Sequence, residues 1–332
     1  FKNIKFKIIF ITMVRVNRIL NMDWKSSSIL VTGGTGFLGS RIVSLLKNRG
    51  INNIIISHSN ENDLRLKESC SDITKNIDIV FHVAAKVGGI GFNQEKPAEL
   101  FYDNLMMGTN LMEEARKNGV KKFIALGTIC SYPKFTPLPF AEDNIWNGYP
   151  EETNAPYGLA KKMLLVQSQA YFQQYNFNSI VVFPTNLYGP KDNFSEDSSH
   201  VIPALIKKVL DAKNTDKKKI TLWGDGSPSR DFLYVDDAAE GIILAGEKYN
   251  NHEPINLGTS EEVTIKDLIQ KIQKIMNTDL EVEWELEKPN GQPRRAVSFE
   301  KAKNEINFSP KINLEEGLRR TIDWYQQHIK NN

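Results

Sequence analysis

The chain has 332 residues, of which 40% are hydrophobic and 25% are charged. Its 42 basic and 40 acidic residues leave a formal net charge of +2, which excludes a strongly basic nucleic-acid-binding chain and a disordered one. Only two cysteines occur, Cys70 and Cys130, so we expect no disulfide framework and a cytoplasmic protein.

The first 22 residues form a basic, apolar segment. Its apolar run, Ile8 to Val14, is shorter than the ~20 residues that cross a bilayer. Arg15 and Arg18 follow directly, and no small-residue cleavage site is present, which argues against a signal peptide. We therefore expect residues 1–24 to be an extension outside the fold, and we expect no membrane association.

From Ser28 onward, short apolar runs alternate with amphipathic segments. The runs SILVTGG, NIIIS, DIVFHVAA, KKFIALGT and SIVVFPTN predict strands, and residues 36–48, 97–118 and 157–175 predict helices. Strands separated by helices at this spacing predict an α/β fold with a doubly wound, Rossmann-like parallel sheet. We expect that sheet to be complete near Thr185.

Beyond Gly189, prolines punctuate shorter elements, which predicts a smaller C-terminal α/β lobe. We expect a larger domain over 25–188 and this lobe over 189–332, with some chain crossing back to the sheet. A last helix begins at Asn313, whose spacing to Glu316 is close to that of a capping box. Open α/β sheets bind ligands beyond the carboxyl ends of their strands, so we expect the site between the lobes.

Three glycines, Gly33, Gly36 and Gly39, follow the first predicted strand and open the first helix. Glycine permits the tight turn and a close backbone approach, and the helix N-terminus offers free N–H groups to a diphosphate. The pattern predicts dinucleotide binding by the larger domain. A glycine turn with only a structural role is the alternative.

The end of the second strand bears on the choice of dinucleotide, because a carboxylate there binds a ribose 2′-hydroxyl and a basic group binds a 2′-phosphate. Positions 56–60 read ISHSN, and no carboxylate occurs before Glu61. Hydroxyl, amide and imidazole groups suit a phosphate better. The predicted cofactor is therefore NADP(H), with Ser57 and His58 among its contacts.

Tyr157 and Lys161 have a spacing that places both side chains on one face of a predicted helix. A lysine ammonium beside a phenol lowers the phenol's pKa from about 10 toward the range of an acid/base catalyst. Such a spacing is common by chance. Thr128, at the end of the strand KKFIALGT, strengthens the prediction because its hydroxyl is placed to polarise a carbonyl.

The glycine spacing, the strand-end hydroxyl and Tyr-x-x-x-Lys together resemble the extended short-chain dehydrogenase/reductase family, from about Ser28 to the C-terminus. The resemblance implies that Tyr157 donates a proton to a ketone, that Lys161 binds the nicotinamide ribose and that Thr128 positions the carbonyl. The segments GTICSYPKFTPLPFAED, PTNLYGPKDNFSEDSSHVIPALI and LWGDGSPSRDFLYVDDAAEGI further resemble the GDP-L-fucose synthases, bifunctional epimerase/reductases acting on GDP-4-keto-6-deoxy-D-mannose.

This second resemblance implies that Cys130 and His200 are the acid/base pair for epimerisation at C3 and C5, before NADPH reduces C4. Inversion needs two groups, because one removes a proton beside the ketone and the other delivers a proton to the opposite face. Thiol and imidazole groups both titrate near neutrality in a polar cleft. Taken alone, Cys130 is more typical of a small buried residue, and His200 is more typical of a helix cap or a surface residue.

The resemblance also implies binding contacts, and it implies no metal site. The further cofactor contacts are Phe37, Leu38, Ala84, Ala85, Lys86, Pro184, Leu187 and His200. The substrate contacts are Val87, Gly88, Gly89, Asn186, Lys208, Trp223, Arg230 and Arg295. The alternatives are an ordinary glycine loop at 86–90 and solvated surface positions for Lys208, Arg295 and its neighbour Arg294.

The chain departs from the family pattern at Thr35, where fucose synthases often carry an arginine that contacts the 2′-phosphate. It also has Thr128 where serine is commoner, and its N-terminal extension has no counterpart in the family. None of these three departures removes a group that the reaction needs. The resemblance further implies a homodimer formed through the helices at 97–118 and 157–175.

Other enzymes of the superfamily remain as alternatives. GDP-mannose 3,5-epimerase shares the cysteine but has a lysine in place of His200, and UDP-hexose 4-epimerase needs neither residue. GDP-mannose 4,6-dehydratase requires an acidic residue after the threonine, which this chain lacks. A non-catalytic scaffold on the same fold would usually lose Tyr157 or Lys161.

Overall fold

The computed structural model describes residues 22–196, 198–288 and 290–331. The strands, numbered in chain order, are β1 Ile29–Thr32, β2 Ile54–Ser57, β3 Ile79–His82, β4 Lys122–Leu126, β5 Ser179–Pro184, β6 Asn186–Tyr188, β7 Lys219–Trp223, β8 Ser229–Arg230, β9 Phe232–Tyr234, β10 Ile255–Leu257, β11 Val263–Thr264, β12 Glu281–Glu285 and β13 Arg294–Arg295. The α-helices are α1 Phe37–Asn48, α2 Lys67–Ile73, α3 Ile90–Glu95, α4 Pro97–Lys117, α5 Ala155–Tyr175, α6 Val201–Asn214, α7 Val235–Lys248, α8 Ile265–Met276, α9 Glu300–Ile306 and α10 Leu314–Asn331.

The central sheet has six parallel strands in the order β10-β5-β4-β3-β1-β2. This confirms the expected doubly wound, Rossmann-like α/β fold, and the three predicted helices lie within two residues of their expected bounds. The expectation that the sheet is complete near Thr185 is wrong. Ile255 pairs with Val182, so β10 adds a sixth strand from the C-terminal half.

Both faces of the sheet are covered by helices, as the alternating side chains of its strands require. Ile29 and Val31 of β1 pack toward α1, α7 and α9, whereas Leu30 packs toward α4 and α5. Near-continuous apolar strands are therefore buried on both sides. The core of the larger domain is divided by the sheet into two layers.

A third apolar cluster lies around α6, α8 and α10, together with the two-stranded sheets β7–β12 and β6–β9.

The predicted cap of the last helix is confirmed, because Asn313 Oδ1 accepts a hydrogen bond of 2.9 Å from the Glu316 N–H. The described helices include none whose length and apolar character would suit a bilayer crossing.

The expected N-terminal extension can be compared with the structure only at its end, because residues 1–21 lie outside the described residues. Met22 and Trp24 pack against the core, and the rings of Trp24 and Phe81 have centroids 6.0 Å apart. Residues 22–24 therefore lie on the fold and not outside it.

Candidate active site

A cavity of about 1540 Å³ opens at the carboxyl ends of β1, β3 and β4, and residues of α6, β7 and β8 form its opposite wall. It lies where the strand order reverses between β1 and β3, the expected ligand position in such sheets. Pockets for one small ligand have volumes of roughly 300–1,000 Å³. This cavity has room for two ligands side by side.

The structure brings nearly all of the predicted site residues to this cavity. Its lining includes every predicted catalytic and substrate-contact residue, and every predicted cofactor contact except His58. The side chain of His58 is exposed beyond β2 and outside the lining, whereas Ser57 and Ser59 line the cavity. Arg294 is also outside the lining, exposed and ion-paired with Glu262.

The glycine turn between β1 and α1 leaves no space for side chains. Gly33 has a φ of +68°, and a Cβ on Gly39 would lie 2.1 Å from the carbonyl oxygen of Gly33. Gly36 is the N-cap of α1, no side chain caps that helix end, and its first turn has no acidic residue. The N–H groups of this turn are therefore available to an anion, which is the cradle that a diphosphate requires.

The loop after β3 is fixed to α4 by paired hydrogen bonds. Asn104 accepts from the Lys86 N–H at 3.1 Å and donates to its carbonyl at 2.9 Å. The Lys86 ammonium is ion-paired with Glu99 at 2.5 Å and with Asp103 at 3.0 Å, and Asp103 also binds Arg65 at 3.2 Å. The side-chain charge of Lys86 is thus balanced by carboxylates of α4, and the residue is part of the cavity lining.

Thr128 and Tyr157 both line the cavity, and the Thr128 hydroxyl is near enough to the Tyr157 phenol to act on its pKa. The pKa of Tyr157 is raised above its usual value, first by burial and then by negative charge on Cys130, contrary to the lowering predicted from Lys161. Burial also lowers the pKa of Lys161 to about 8. Tyr157 is therefore a protonated phenol at neutral pH, the form that a proton donor needs.

Cys130 lies between a cationic donor and a neutral acceptor. Its Sγ is 3.4 Å from Nη1 of Arg295 and 3.7 Å from Oδ1 of Asn154. Its N–H donates to Thr128 Oγ1 at 3.3 Å within a short 3₁₀ turn over Ile129–Ser131. The thiol is thus close to the Thr128–Tyr157 pair and has polar partners on two sides.

His200 immediately precedes α6 and belongs to the cavity lining. The side chain makes no capping hydrogen bond to the first turn of that helix, so the alternative of a helix cap is not what the structure shows. Desolvation by the surrounding protein lowers the pKa of His200 from its ordinary value of 6.5. Its ring is therefore neutral at pH 7 and is able to accept a proton.

The opposite wall carries cationic and aromatic groups. Arg230 and Arg295 are paired in register on β8 and β13, and burial together with the charge of Arg295 lowers the pKa of Arg230 to about 9. Arg230 remains charged at pH 7, because its pKa is still above that value. Trp223 is half-exposed with Lys288 Nζ 5.3 Å from its ring centroid, and Lys208 donates to a backbone carbonyl of β7 at 2.7 Å. This wall suits an anionic ligand.

Several polar residues of the lining were not predicted from the sequence. Asn93 and Asn154 are buried beside Cys130, and Arg65 follows β2. Asp192 is nine-tenths buried, and burial raises the pKa of its carboxyl to about 7. Only one feature of the sequence could have indicated Asp192 as a site residue, namely its place in the segment PTNLYGPKDNF, which contains the predicted contact Asn186.

The sheet topology, the glycine turn and the Tyr-x-x-x-Lys helix define a Rossmann-like α/β protein of the short-chain dehydrogenase/reductase type. The model of the NAD dependent epimerase/dehydratase family matches residues 29–258, and the chain belongs to that family.

The curated relatives are similar to this chain over nearly their full lengths. It is 36% identical to GDP-L-fucose synthase 1 of Arabidopsis thaliana, covering 95% of this chain and 98% of the relative. It is also 36% identical to GDP-L-fucose synthase of Escherichia coli strain K12, covering 90% and 97%. The solved GDP-L-fucose synthetase from Naegleria fowleri bound to NADP superposes with a TM-score of 0.83 at 29% identity, covering 92% and 94%.

Proposed function

We propose that this protein converts GDP-4-keto-6-deoxy-D-mannose to GDP-L-fucose by 3,5-epimerisation followed by reduction of the C4 ketone with NADPH. One observation carries the proposal: Cys130 and His200 line the same cavity as Thr128, Tyr157 and Lys161. An epimerising pair and a carbonyl-reducing set thus share one site. The names of the matched relatives support the same activity.

The cavity fits a dinucleotide because the glycine turn leaves an open N-terminus on α1 where side chains would obstruct it. The relative with NADP bound supports NADP(H) as the cofactor. When bound, NADPH supplies the hydride for C4. In this chain, the N–H groups of Phe37, Leu38 and Gly39 would hold the diphosphate, and Lys161 would hold the nicotinamide ribose.

The protein's own groups account for the proton transfers. The neighbouring ketone acidifies the C–H bonds at C3 and C5, and the pair formed by Cys130 and His200 removes and delivers protons there. The group that acts as base, a thiolate or a neutral imidazole, takes the proton, and the other group supplies one to the opposite face. Tyr157, which is protonated at neutral pH, gives its proton to the C4 oxygen, and Thr128 orients that oxygen. Arg230 binds the GDP diphosphate, Arg295 contacts the substrate beside Cys130, and Trp223 lies near the sugar.

We also propose that the protein is a homodimer that forms through α4 and α5. We propose a cytoplasmic location as well, which the two unpaired cysteines favour.

The division into a domain over 25–188 and a lobe over 189–332 stays part of the proposal, with β10 as the segment that returns to the sheet. GDP-mannose 3,5-epimerase is disfavoured as the activity because His200 stands where that enzyme has lysine.

The direct test incubates the purified protein with GDP-4-keto-6-deoxy-D-mannose and either NADPH or NADH, and follows the absorbance of the reduced nicotinamide. NMR in heavy water then identifies the product and reports deuterium at C3 and C5. We expect NADPH consumption, a GDP-L-fucose product and deuterium at both carbons. No consumption together with no exchange would overturn the proposal and indicate another nucleotide sugar.

A further inference from the structure

Asn154 connects Cys130 to a buried polar network that the reaction described above does not use. Its Oδ1 lies 3.7 Å from Cys130 Sγ and accepts from Asn93 Nδ2 at 3.1 Å. Its Nδ2 donates to the carboxylate of Glu151 and to Thr153 Oγ1. Asn93, Glu151 and Asn154 are all buried. Asn154 occupies the N-cap position of α5, but its side chain makes no capping hydrogen bond to that helix. The amide is therefore available to contact Cys130.

Glu151 fixes which way the Asn154 amide points. Its carboxylate accepts from the Thr153 N–H at 3.2 Å and from the Thr153 hydroxyl at 2.7 Å. The Glu151 oxygens act as acceptors in all of these hydrogen bonds, and the group of Asn154 that they face is its NH₂ donor. The amide oxygen is consequently directed at Cys130, where it accepts a hydrogen bond from the thiol and offers nothing to a thiolate.

Arg295 approaches the same sulfur with the opposite preference. Its Nη1 is 3.4 Å from Cys130 Sγ, and a guanidinium only donates. A charged donor of this kind binds a thiolate more strongly than a thiol. The sulfur therefore has one partner suited to its protonated form and another suited to its ionised form.

We propose that Asn154 is a positioning residue for proton transfer at Cys130, holding the protonated thiol in the place where Arg295 holds the thiolate. This inference rests on the proposed function. When Cys130 acts as base, a C–H bond beside the ketone breaks, an S–H bond forms, and the electron pair moves into an enolate at the C4 oxygen. His200 then delivers a proton to the opposite face of that carbon, and the electron pair returns from the enolate to form the new C–H bond. Where Cys130 acts as the acid, its S–H bond breaks and the thiolate remains, so neither role requires an oxidant or a reductant.

Because the sulfur keeps a partner in both states, it does not need to move between removing and delivering a proton. Loss of the amide oxygen would favour the thiolate by leaving the thiol without its acceptor. A carboxylate in the same position would favour the thiol, because it accepts from S–H and its charge opposes a second negative charge. The two changes have opposite consequences for Cys130.

The test measures alkylation of Cys130 by iodoacetamide as a function of pH in full-length wild-type protein and in the N154A and N154D variants. Peptide mass spectrometry separates Cys130 from Cys70, whose side chain is fully buried. We expect the midpoint of the alkylation profile to move about half a pH unit down in N154A and about one unit up in N154D. The exposed Asn147→Ala variant is the matched control and should keep the wild-type midpoint.

Deuterium exchange at C3 and C5 of the keto sugar gives the second readout, and we expect about a tenfold loss in N154A. Unshifted midpoints, or shifts in the same direction in both variants, would overturn the role of Asn154. N154A alone suffices if the added charge beside Glu151 prevents N154D from folding, since an unmoved midpoint in N154A also contradicts the inference. Failure of the wild-type protein to exchange sugar protons would instead overturn the proposed function, because alkylation requires no sugar.

Discussion

The guanidinium of Arg295 donates a hydrogen bond of 3.4 Å to the sulfur of Cys130, although 165 positions separate the two residues in the chain. Cys130 follows β4 of the central sheet, whereas Arg295 belongs to β13 of a small three-stranded sheet. The pairing of β13 with β8 sets Arg295 opposite Arg230 and Arg294 opposite Ser229. Successive strand residues point to opposite sides, so only one of the adjacent arginines reaches the thiol.

This geometry predicts different results for neighbouring substitutions. We expect Arg295→Met to lower the rate of deuterium exchange at C3 and C5 about 10- to 100-fold, since a hydrogen bond to a charged group contributes about 1.5–3 kcal/mol. Arg294→Met is the matched control, because Arg294 is exposed and pairs only with Glu262 in the described structure. Equal losses in the two variants would contradict the assignment of Arg295 to Cys130.

The two half-reactions should separate by mutation. Tyr157→Phe removes only the phenolic hydroxyl, which is the proton donor for C4, and keeps the aromatic ring. We therefore expect NADPH oxidation to fall about 10²- to 10⁴-fold while exchange at C3 and C5 continues. Cys130→Ala should show the reverse defect and lose exchange. Absorbance at the nicotinamide band and NMR in heavy water measure the two rates, and intact exchange in Cys130→Ala would exclude the thiol from epimerisation.

The sequence predicted the parts of the site that depend on local patterns. The glycine turn and the spacing of Tyr157 and Lys161 are properties of one turn and one helix, and they needed no knowledge of distant contacts. The pKa of Tyr157 was predicted in the wrong direction, because burial depends on the whole surrounding structure. Arg294 and Arg295 were indistinguishable, because the register of a two-residue strand decides between them.

Two further misses have similar causes. The sixth strand, Ile255–Leu257, has three residues, which is too short for a periodic pattern to identify it. Asn154 stands directly before a helix, where an asparagine is ordinarily interpreted as a cap. Its amide instead binds Cys130 and Asn93, which are 24 and 61 positions away in the chain, in addition to nearby Glu151.

Cofactor preference should respond to Thr35, which is exposed and lines the cavity at the glycine turn. Thr35→Arg would place a guanidinium where the resembling enzymes often contact the 2′-phosphate, and we expect the ratio of kcat/KM for NADPH over NADH to rise about tenfold. Thr35→Met, of similar length without the charge, is the control and should leave the ratio unchanged. An equal ratio in the wild type and in Thr35→Arg would place the 2′-phosphate elsewhere.

The proposed dimer predicts that apolar side chains on the outer surfaces of α4 and α5 are buried between subunits. Tyr102 of α4 is 56% exposed and Val166 of α5 is 43% exposed in the single chain. We expect the double substitution Tyr102→Asp and Val166→Asp to produce monomers in size-exclusion chromatography with light scattering, because it places charges in an apolar interface. Phe135→Asp, at an aromatic residue on neither helix, should keep the wild-type mass. A monomeric wild-type protein would contradict the dimer.

Asp192 makes the stability of the protein depend on pH in a predictable direction. Its Oδ1 accepts from the Asn193 N–H at 2.7 Å, its Oδ2 has no partner within the described residues, and burial raises its pKa from 3.8 to about 7. Between these values the folded protein holds a proton that the unfolded chain has lost. The contribution of Asp192 to the free energy of unfolding is therefore complete below pH 3.8 and is lost as the pH rises to about 7.

Asp192→Asn should remove this dependence, and at pH 8 the variant should be more stable than the wild type by at most about 4 kcal/mol. Urea denaturation at pH 4, 6 and 8 measures the difference, and the exposed Asp143→Asn variant is the control for a loss of charge alone. A variant whose stability falls with pH as steeply as that of the wild type would show that the Asp192 carboxyl is already ionised in the folded protein.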